Sequence, residues 1–211
     1  MRRAPILAIV AALLVLAGCV DDSPIGGTGG NSVDVASPAL VHLKQRAGIA
    51  NCPASAAGQP AAGDDLPDTT LPCLGGGRDV RLAGLEGPLL INLWGSYCAP
   101  CRDELPVLQQ IHQAAGDKLT VLGIDYQDPS PGSALQLAAD SGVTFPSVAD
   151  PGADTHADLE VIALPQTVFV DHRGAIVATE RVPLTSFDQA ADLVQKHLGI
   201  DVGAGAAVSK S

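Results

Sequence analysis

A mixed β-sheet covered on both faces, in the α/β class, is the fold that the order of elements in this chain predicts. Three observations carry it. Leu89 to Trp94 is a nearly continuous apolar run bounded by turn residues, as a strand buried on both faces would be. A segment with apolar residues at helical spacing follows, and then a second apolar strand from Leu119 to Asp125, so strands and helices alternate. Further on, two alternating segments surround His172-Arg173-Gly174, which adds an antiparallel hairpin and makes the sheet mixed.

From the N-terminus, Arg2 and Arg3 precede an apolar run from Ala4 to Ala17 that ends in small residues, a secretory signal pattern. The run falls short of the ~20 residues a membrane-spanning helix needs. Residues 1–18 are therefore read as a signal peptide. Residues 19–50 are read as a tether or linker, because Asp21 to Ser37 is rich in Gly, Ser, Thr and Asp, although Pro38 to Ala50 has some helical character. The folded domain is placed at 51–198, and 199–211, with Gly203 and Gly205 and no amphipathic pattern, is read as a flexible tail.

Within that domain, Leu71 to Leu82 reads as two short strands around Gly75-Gly76-Gly77, an N-terminal hairpin, with a tight turn at Gly84 to Pro88. The strand Leu89–Trp94 comes next. Leu105, Leu108, Ile111 and Ala115 then predict a helix over Ala99 to Ala115, with Pro106 inside it. After the strand Leu119–Asp125, helices are expected at Ser133 to Ser141 and Asp154 to Leu159. The hairpin segments are Thr167 to Asp171 and Ala175 to Arg181. A final helix from Thr185 to Leu198 carries Phe187, Ala190, Leu193, Val194 and His197 along its length.

The formal net charge is −11 with only twelve Lys and Arg, so a nucleic-acid surface is excluded for want of clustered cations. The chemistry points instead to Cys98-Ala99-Pro100-Cys101, after a buried strand and at the start of a helix. Three residues apart, both sulfurs lie on one helical face, near enough to form a disulfide. The helix N-terminus stabilises the Cys98 thiolate, the form that attacks disulfides, while Cys101, deeper in the helix, is the resolving thiol. Pro100 lacks an N–H that the first turn would leave without a partner. A zinc site would need a second pair of ligands; Cys52 and Cys73 are not spaced as one, and His112, His156, His172 and His197 share no metal-ligand spacing. No metal and no cofactor is expected.

Leu16-Ala17-Gly18-Cys19 resembles the lipobox of bacterial lipoproteins, which implies lipid on Cys19, removal of the preceding peptide, and a chain tethered to the membrane outside the cytoplasm. Asn92 to Pro106 resembles the active site of thioredoxin-like proteins, most of all the membrane-anchored TlpA and ResA group of disulfide reductases, and the similarity runs from about Pro67 to Leu198. A thioredoxin-like fold follows from it. In that family a cis-proline faces the cysteine pair and presents backbone to the substrate, which nominates Pro165 and its neighbour Leu164. An acidic residue three positions after the second Cys tunes proton transfer in ResA-like members, and Glu104 matches it. Asn92 stands where thioredoxin has a buried Asp, so the proton-handling role shifts to Glu104. Tyr97 replaces the usual Trp, and Gln166 stands where Thr is common. Trp94, Tyr97, Pro100 and Leu164 are read as bordering the substrate.

The resemblance further implies apocytochrome c as a disulfide-containing substrate and a membrane thiol-disulfide carrier of CcdA type as electron donor. It leaves the direction of electron flow open, so an oxidant role in oxidative folding is an alternative. Copper-binding modules of Sco type share the fold but have Cys-x-x-x-Cys, one residue longer, and the Pro-x-x-x-Thr-x-x-Cys pattern of peroxiredoxins is absent around Cys98. Cys52 and Cys73 are read as a structural disulfide in an oxidising compartment, with a second redox pair as the alternative that their spacing leaves open. His156 and His172 are read as solvated.

Overall fold

The computed structural model describes residues 33–58 and 65–203. Seven strands and four helices follow in the order α1 (Pro38–Ala47), β1 (Thr70–Leu71), β2 (Val80–Arg81), β3 (Leu89–Trp94), α2 (Ala99–Ala115), β4 (Thr120–Tyr126), α3 (Pro131–Asp140), β5 (Ser147–Asp150), β6 (Gln166–Val170), β7 (Ile176–Glu180) and α4 (Phe187–Leu198). Strands β1 and β2 form the expected N-terminal hairpin; the other five make a mixed sheet in the order β5-β4-β3-β6-β7. Strands β3, β4 and β5 run parallel, and β6 and β7 are antiparallel to their neighbours.

Strand β3 is central and every one of its residues is buried, which is why its sequence shows no alternation. Its side chains still divide by period two. Leu90 and Trp94 join the buried residues of α2, α3 and α4 on one face, while Leu89, Ile91 and Leu93 join the N-terminal hairpin, Leu159 and Val161 on the other. Helices thus cover one face, and the hairpin with a turn-rich segment covers the opposite one.

Three expectations change. The segment read as a linker up to residue 50 packs on the domain from Val35 onward: Val35, Leu40 and Ile49 belong to the same buried cluster as α2, and α1 lies against α3. Leu40, Leu43 and Ala47 give this short helix one apolar face, whose burial draws it in. Val202, read as part of a frayed tail, is likewise buried. Asp154 to Leu159 is a series of turns and not a helix, because the chain takes positive φ at Ala153 and Glu160 and makes a single helical bond, Leu159 N to Thr155 O. Strand β5 had no alternating signal and was not expected. The signal peptide and Cys19 lie outside the described residues.

Candidate active site

Parallel strands present their carboxyl ends to one edge of a sheet, and β3 delivers the cysteine motif there. The Cys98 side chain caps α2, its sulfur 3.3 Å from the Cys101 N–H, and Ala99 and Pro100 form the first turn. Cys98 and Cys101 are joined as a disulfide with Cα atoms 5.3 Å apart. Cys98 keeps 7 % of its surface exposed and Cys101 only 1 %, the order required of an attacking and a resolving thiol.

Sheet register determines what stands beside the motif. Leu93 pairs with Gln166 on antiparallel β6, so the start of β6, preceded by the cis peptide bond Leu164–Pro165, lies next to the end of β3. A groove runs along the Cys98 side of this edge, lined by Tyr97, Pro100, Leu164, Val161, Ile162 and His156. Tyr97 and Ile162 are 59 % and 79 % exposed, large apolar surface with nothing over it. Tyr97, Pro100 and Leu164 thus line this groove together. Gln166 is buried and donates to Leu159 O at 2.7 Å, tying the turn-rich segment to the sheet.

Trp94 departs from its expected place at the substrate surface. It is fully buried, in the cluster that includes Leu90, Cys101 and Leu105. Gly123 on neighbouring β4 makes the room: a Cβ there would stand 2.7 Å from Trp94 Nε1. Trp94 is a packing residue beneath the cysteines.

Glu104 is 1 % exposed, one helical turn beyond Cys101. Its Oε2 accepts from Asn92 Nδ2 at 2.9 Å and its Oε1 from Leu184 N at 2.9 Å, so β3, α2 and the loop before α4 meet at this carboxyl. Burial pushes its pKa up to about 7, against the lowering effect of those two hydrogen bonds. A group with that value gives up and takes back a proton at neutral pH.

Two further carboxyls were not singled out from the sequence. Asp125 lies at the carboxyl end of β4, beside Trp94 in register, and Asp128 in the loop that follows. Asp128 is buried and accepts from Ser96 N at 2.7 Å and Ser130 N at 2.8 Å, which holds the loop leading into Cys98. Burial, reinforced by Asp128, pushes Asp125 up to about 9, so it carries its proton at neutral pH. Tyr97 donates to Tyr126 O at 3.1 Å, a second tie on the same loop. The sequence did hold a signal, since acidic residues ending a strand that adjoins the motif strand are placed at the binding edge of a parallel sheet. His156, read as solvated, is exposed but bonded to the Tyr126 hydroxyl at 2.8 Å. His172 is exposed. Among the described residues no three His, Cys, Asp or Glu side chains are grouped as a metal site.

The AhpC/TSA family profile matches residues 62–179, more than half of the chain. The chain belongs to the AhpC/TSA family. Among its relatives, the thiol:disulfide interchange protein HelX of Rhodobacter capsulatus is 35 % identical over 127 residues, covering 59 % of this chain and 70 % of HelX. A DsbE homologue of Paracoccus denitrificans is 36 % identical over 103 residues, covering 48 % of this chain and 55 % of that relative. The crystal structure of a secreted thiol-disulfide isomerase from Corynebacterium glutamicum superposes with a TM-score of 0.53 at 31 % identity, covering 64 % of this chain and 83 % of the other. With this fold, this kinship and a Cys-x-x-Cys pair capping a helix, the domain is a thiol-disulfide oxidoreductase of thioredoxin type.

Cys52 and Cys73 are also joined, with Cα atoms 5.9 Å apart. The bond ties the segment after α1 to the edge of the sheet, where Cys73 bridges Val148 of β5. Lys44, buried on α1, points its Nζ at Cys73 Sγ, 3.1 Å away.

Proposed function

We propose that this protein is a lipid-anchored, extracytoplasmic reductase of protein disulfides. The Cys98 thiolate attacks a disulfide of a substrate lying in the groove over Tyr97, Pro100 and Leu164. Cys101 then attacks Cys98 of the mixed disulfide, the substrate leaves reduced, and Cys98 and Cys101 end as the disulfide. Glu104 receives the proton of Cys101 as that thiol becomes the nucleophile, through water or directly, and Pro165 lends backbone to the substrate. Electrons return from a membrane dithiol carrier.

The observation that carries the reducing direction is the company the pair keeps. Glu104 is buried one helical turn beyond Cys101, Asp128 is buried and holds the loop leading into Cys98, and no Lys or Arg is hydrogen-bonded to either sulfur among the described residues. As pH rises through about 7 Glu104 loses its proton, and negative charge beside a thiolate works against the helix N-terminus, destabilises the reduced pair and makes it a better electron donor. The resemblance to TlpA and ResA proteins supports apocytochrome c as substrate and a CcdA-type carrier as donor, and Leu16-Ala17-Gly18-Cys19 supports the anchor.

Equilibration of the full chain against glutathione and against dithiothreitol tests the direction. A reductase keeps the Cys98–Cys101 disulfide in glutathione buffers and is reduced by dithiothreitol; a pair that oxidises glutathione under the same conditions is an oxidant, and the reading fails. For the anchor, Cys19→Ala is expected to move the protein from the membrane fraction to the soluble fraction, and an unchanged distribution counts against lipid at that position.

A further inference from the structure

A buried ammonium is costly unless something negative or strongly polar accompanies it. Lys44 is 3 % exposed, yet among the described residues no carboxylate lies within ion-pair distance of its Nζ. Its partners are Gly76 O at 2.8 Å and Cys73 Sγ at 3.1 Å. A disulfide sulfur is a weak acceptor, so in the oxidised protein the ammonium is poorly matched. Burial accordingly lowers the Lys44 pKa.

The chain builds this place deliberately. Gly75, Gly76 and Gly77 all have positive φ, 74°, 83° and 125°. A Cβ at Gly75 would press on Lys44 Cβ and Cδ at 2.9 Å, and one at Gly77 would sit 3.6 Å from Cys73 Sγ and 3.9 Å from Lys44 Nζ. The three glycines let the lysine stem through, offer it a carbonyl, and leave the ammonium against the sulfur. Across the bond, Cys52 Sγ stands 3.3 Å from Ser147 O, an acceptor that a disulfide cannot use and a thiol can. Each sulfur therefore already faces the partner of its reduced form.

We propose that Cys52–Cys73 is a second redox centre, in which Cys73 is released as a thiolate paired with the Lys44 ammonium. A dithiol donor supplies the electrons. Its thiolate attacks Cys52 Sγ, in the irregular segment between exposed Asn51 and half-buried Pro53, and the sulfur–sulfur electron pair leaves on Cys73 Sγ. The second donor thiol attacks the donor sulfur of the mixed disulfide and frees Cys52, which takes one proton and donates to Ser147 O. The balance is one disulfide and one dithiol giving Cys52 thiol, Cys73 thiolate, a donor disulfide and one free proton. Among the described residues no other charge competes at Lys44: His42 and Arg46 on α1, Arg78 and Asp79 after the glycines, and Asp140 on α3 are exposed, while Asp150 on β5 is engaged by Asp154 and Thr155.

The proton count is the first test, because it requires no substitution near the bond. The full chain carrying Cys98→Ser and Cys101→Ser is equilibrated with reduced and oxidised dithiothreitol from pH 6 to pH 8, quenched in acid, alkylated and mapped at the Cys52 and Cys73 peptides. The reduction constant is expected to rise about tenfold per pH unit, one proton being released. In the same background, Lys44→Met is expected to abolish that slope and to favour the disulfide about tenfold or more at pH 8. A pH-independent constant in the Lys44 protein, or the same slope with Met at 44, overturns the proposal. The active-site pair is absent from this experiment, so its outcome is independent of the function assigned to Cys98 and Cys101.

Discussion

The two disulfides of this protein are the same covalent bond in opposite electrostatic surroundings. Cys98–Cys101 closes a three-residue step at a helix start, with a groove over it and the buried Glu104 one turn beyond it. Cys52–Cys73 closes a 21-residue step between two irregular segments, with a buried ammonium against one sulfur. A carboxylate near a thiolate favours the disulfide, and an ammonium favours the thiolate. On the functions proposed above, the direction in which each bond moves electrons is set by its neighbours, Glu104 for one and Lys44 for the other, and not by the cysteines.

Substitutions of the cysteines should separate the two bonds most sharply. Cys98→Ser is expected to abolish exchange with a disulfide peptide, whereas Cys101→Ser should still attack and accumulate a mixed disulfide at Cys98, seen as a mass adduct removable by reductant. The double variant Cys52→Ser, Cys73→Ser should keep exchange at Cys98 and lose about 3 kcal/mol of stability in denaturant unfolding, from the larger freedom of the unfolded chain. If it loses exchange instead, the two bonds work in series and the contrast fails.

Glu104→Gln sharpens the comparison through pH. With its pKa at about 7 against an ordinary 4.5, the folded protein holds a proton that the unfolded chain has already lost between those values. Glu104 therefore contributes stability that is full below pH 4.5 and disappears as pH rises through 7. The Gln variant should unfold with a flatter pH dependence over that window, by roughly 3 kcal/mol at its upper end. Its exchange rate should also lose the inflection near pH 7. Gln can keep the Leu184 bond, and the Asn92 amide can turn its unpartnered Oδ1 toward it, so folding is retained. Above pH 7 the variant's Cys98–Cys101 pair should be easier to reduce than the parent's, opposite in sign to the effect of Lys44→Met on the other bond.

Asp125→Asn is expected to act in the same direction: the folded protein holds the Asp125 proton while the unfolded chain loses it above about 3.8, so the parent's stability falls from there toward pH 9, and an amide that is neutral at every pH removes that fall. Thermal unfolding across pH 6 to 9.5 would show it. The smallest effect belongs to Tyr97→Phe, which removes the bond to Tyr126 O and should cost about 1 kcal/mol or less while keeping the apolar groove surface. A large drop in exchange with unchanged stability would place the hydroxyl in substrate binding.

The sequence by itself determined the features that rest on local pattern. Leu89–Trp94 came out as a strand and Ala99–Ala115 as a helix with the structure's own limits, because burial on two faces and a 3.6-residue period are written along the chain. The cysteine pair and its order of exposure were legible from a motif of contiguous residues, and the cis bond at Pro165 from the resemblance to thioredoxin-like proteins. What only the tertiary structure decided involves partners brought together from distant positions. Trp94 is buried because Gly123, on another strand, leaves it room. Glu104 owes its proton to the exclusion of water, against the hydrogen bonds from Asn92 and Leu184, while Asp125 owes its own to burial first and to Asp128 second. Helix α1 looked like linker because ten residues with a modest apolar face show their purpose only against α3. Lys44 and Cys73, twenty-nine residues apart, share no pattern at all, since a pair interaction across the fold leaves no period in the chain for a sequence reading to find.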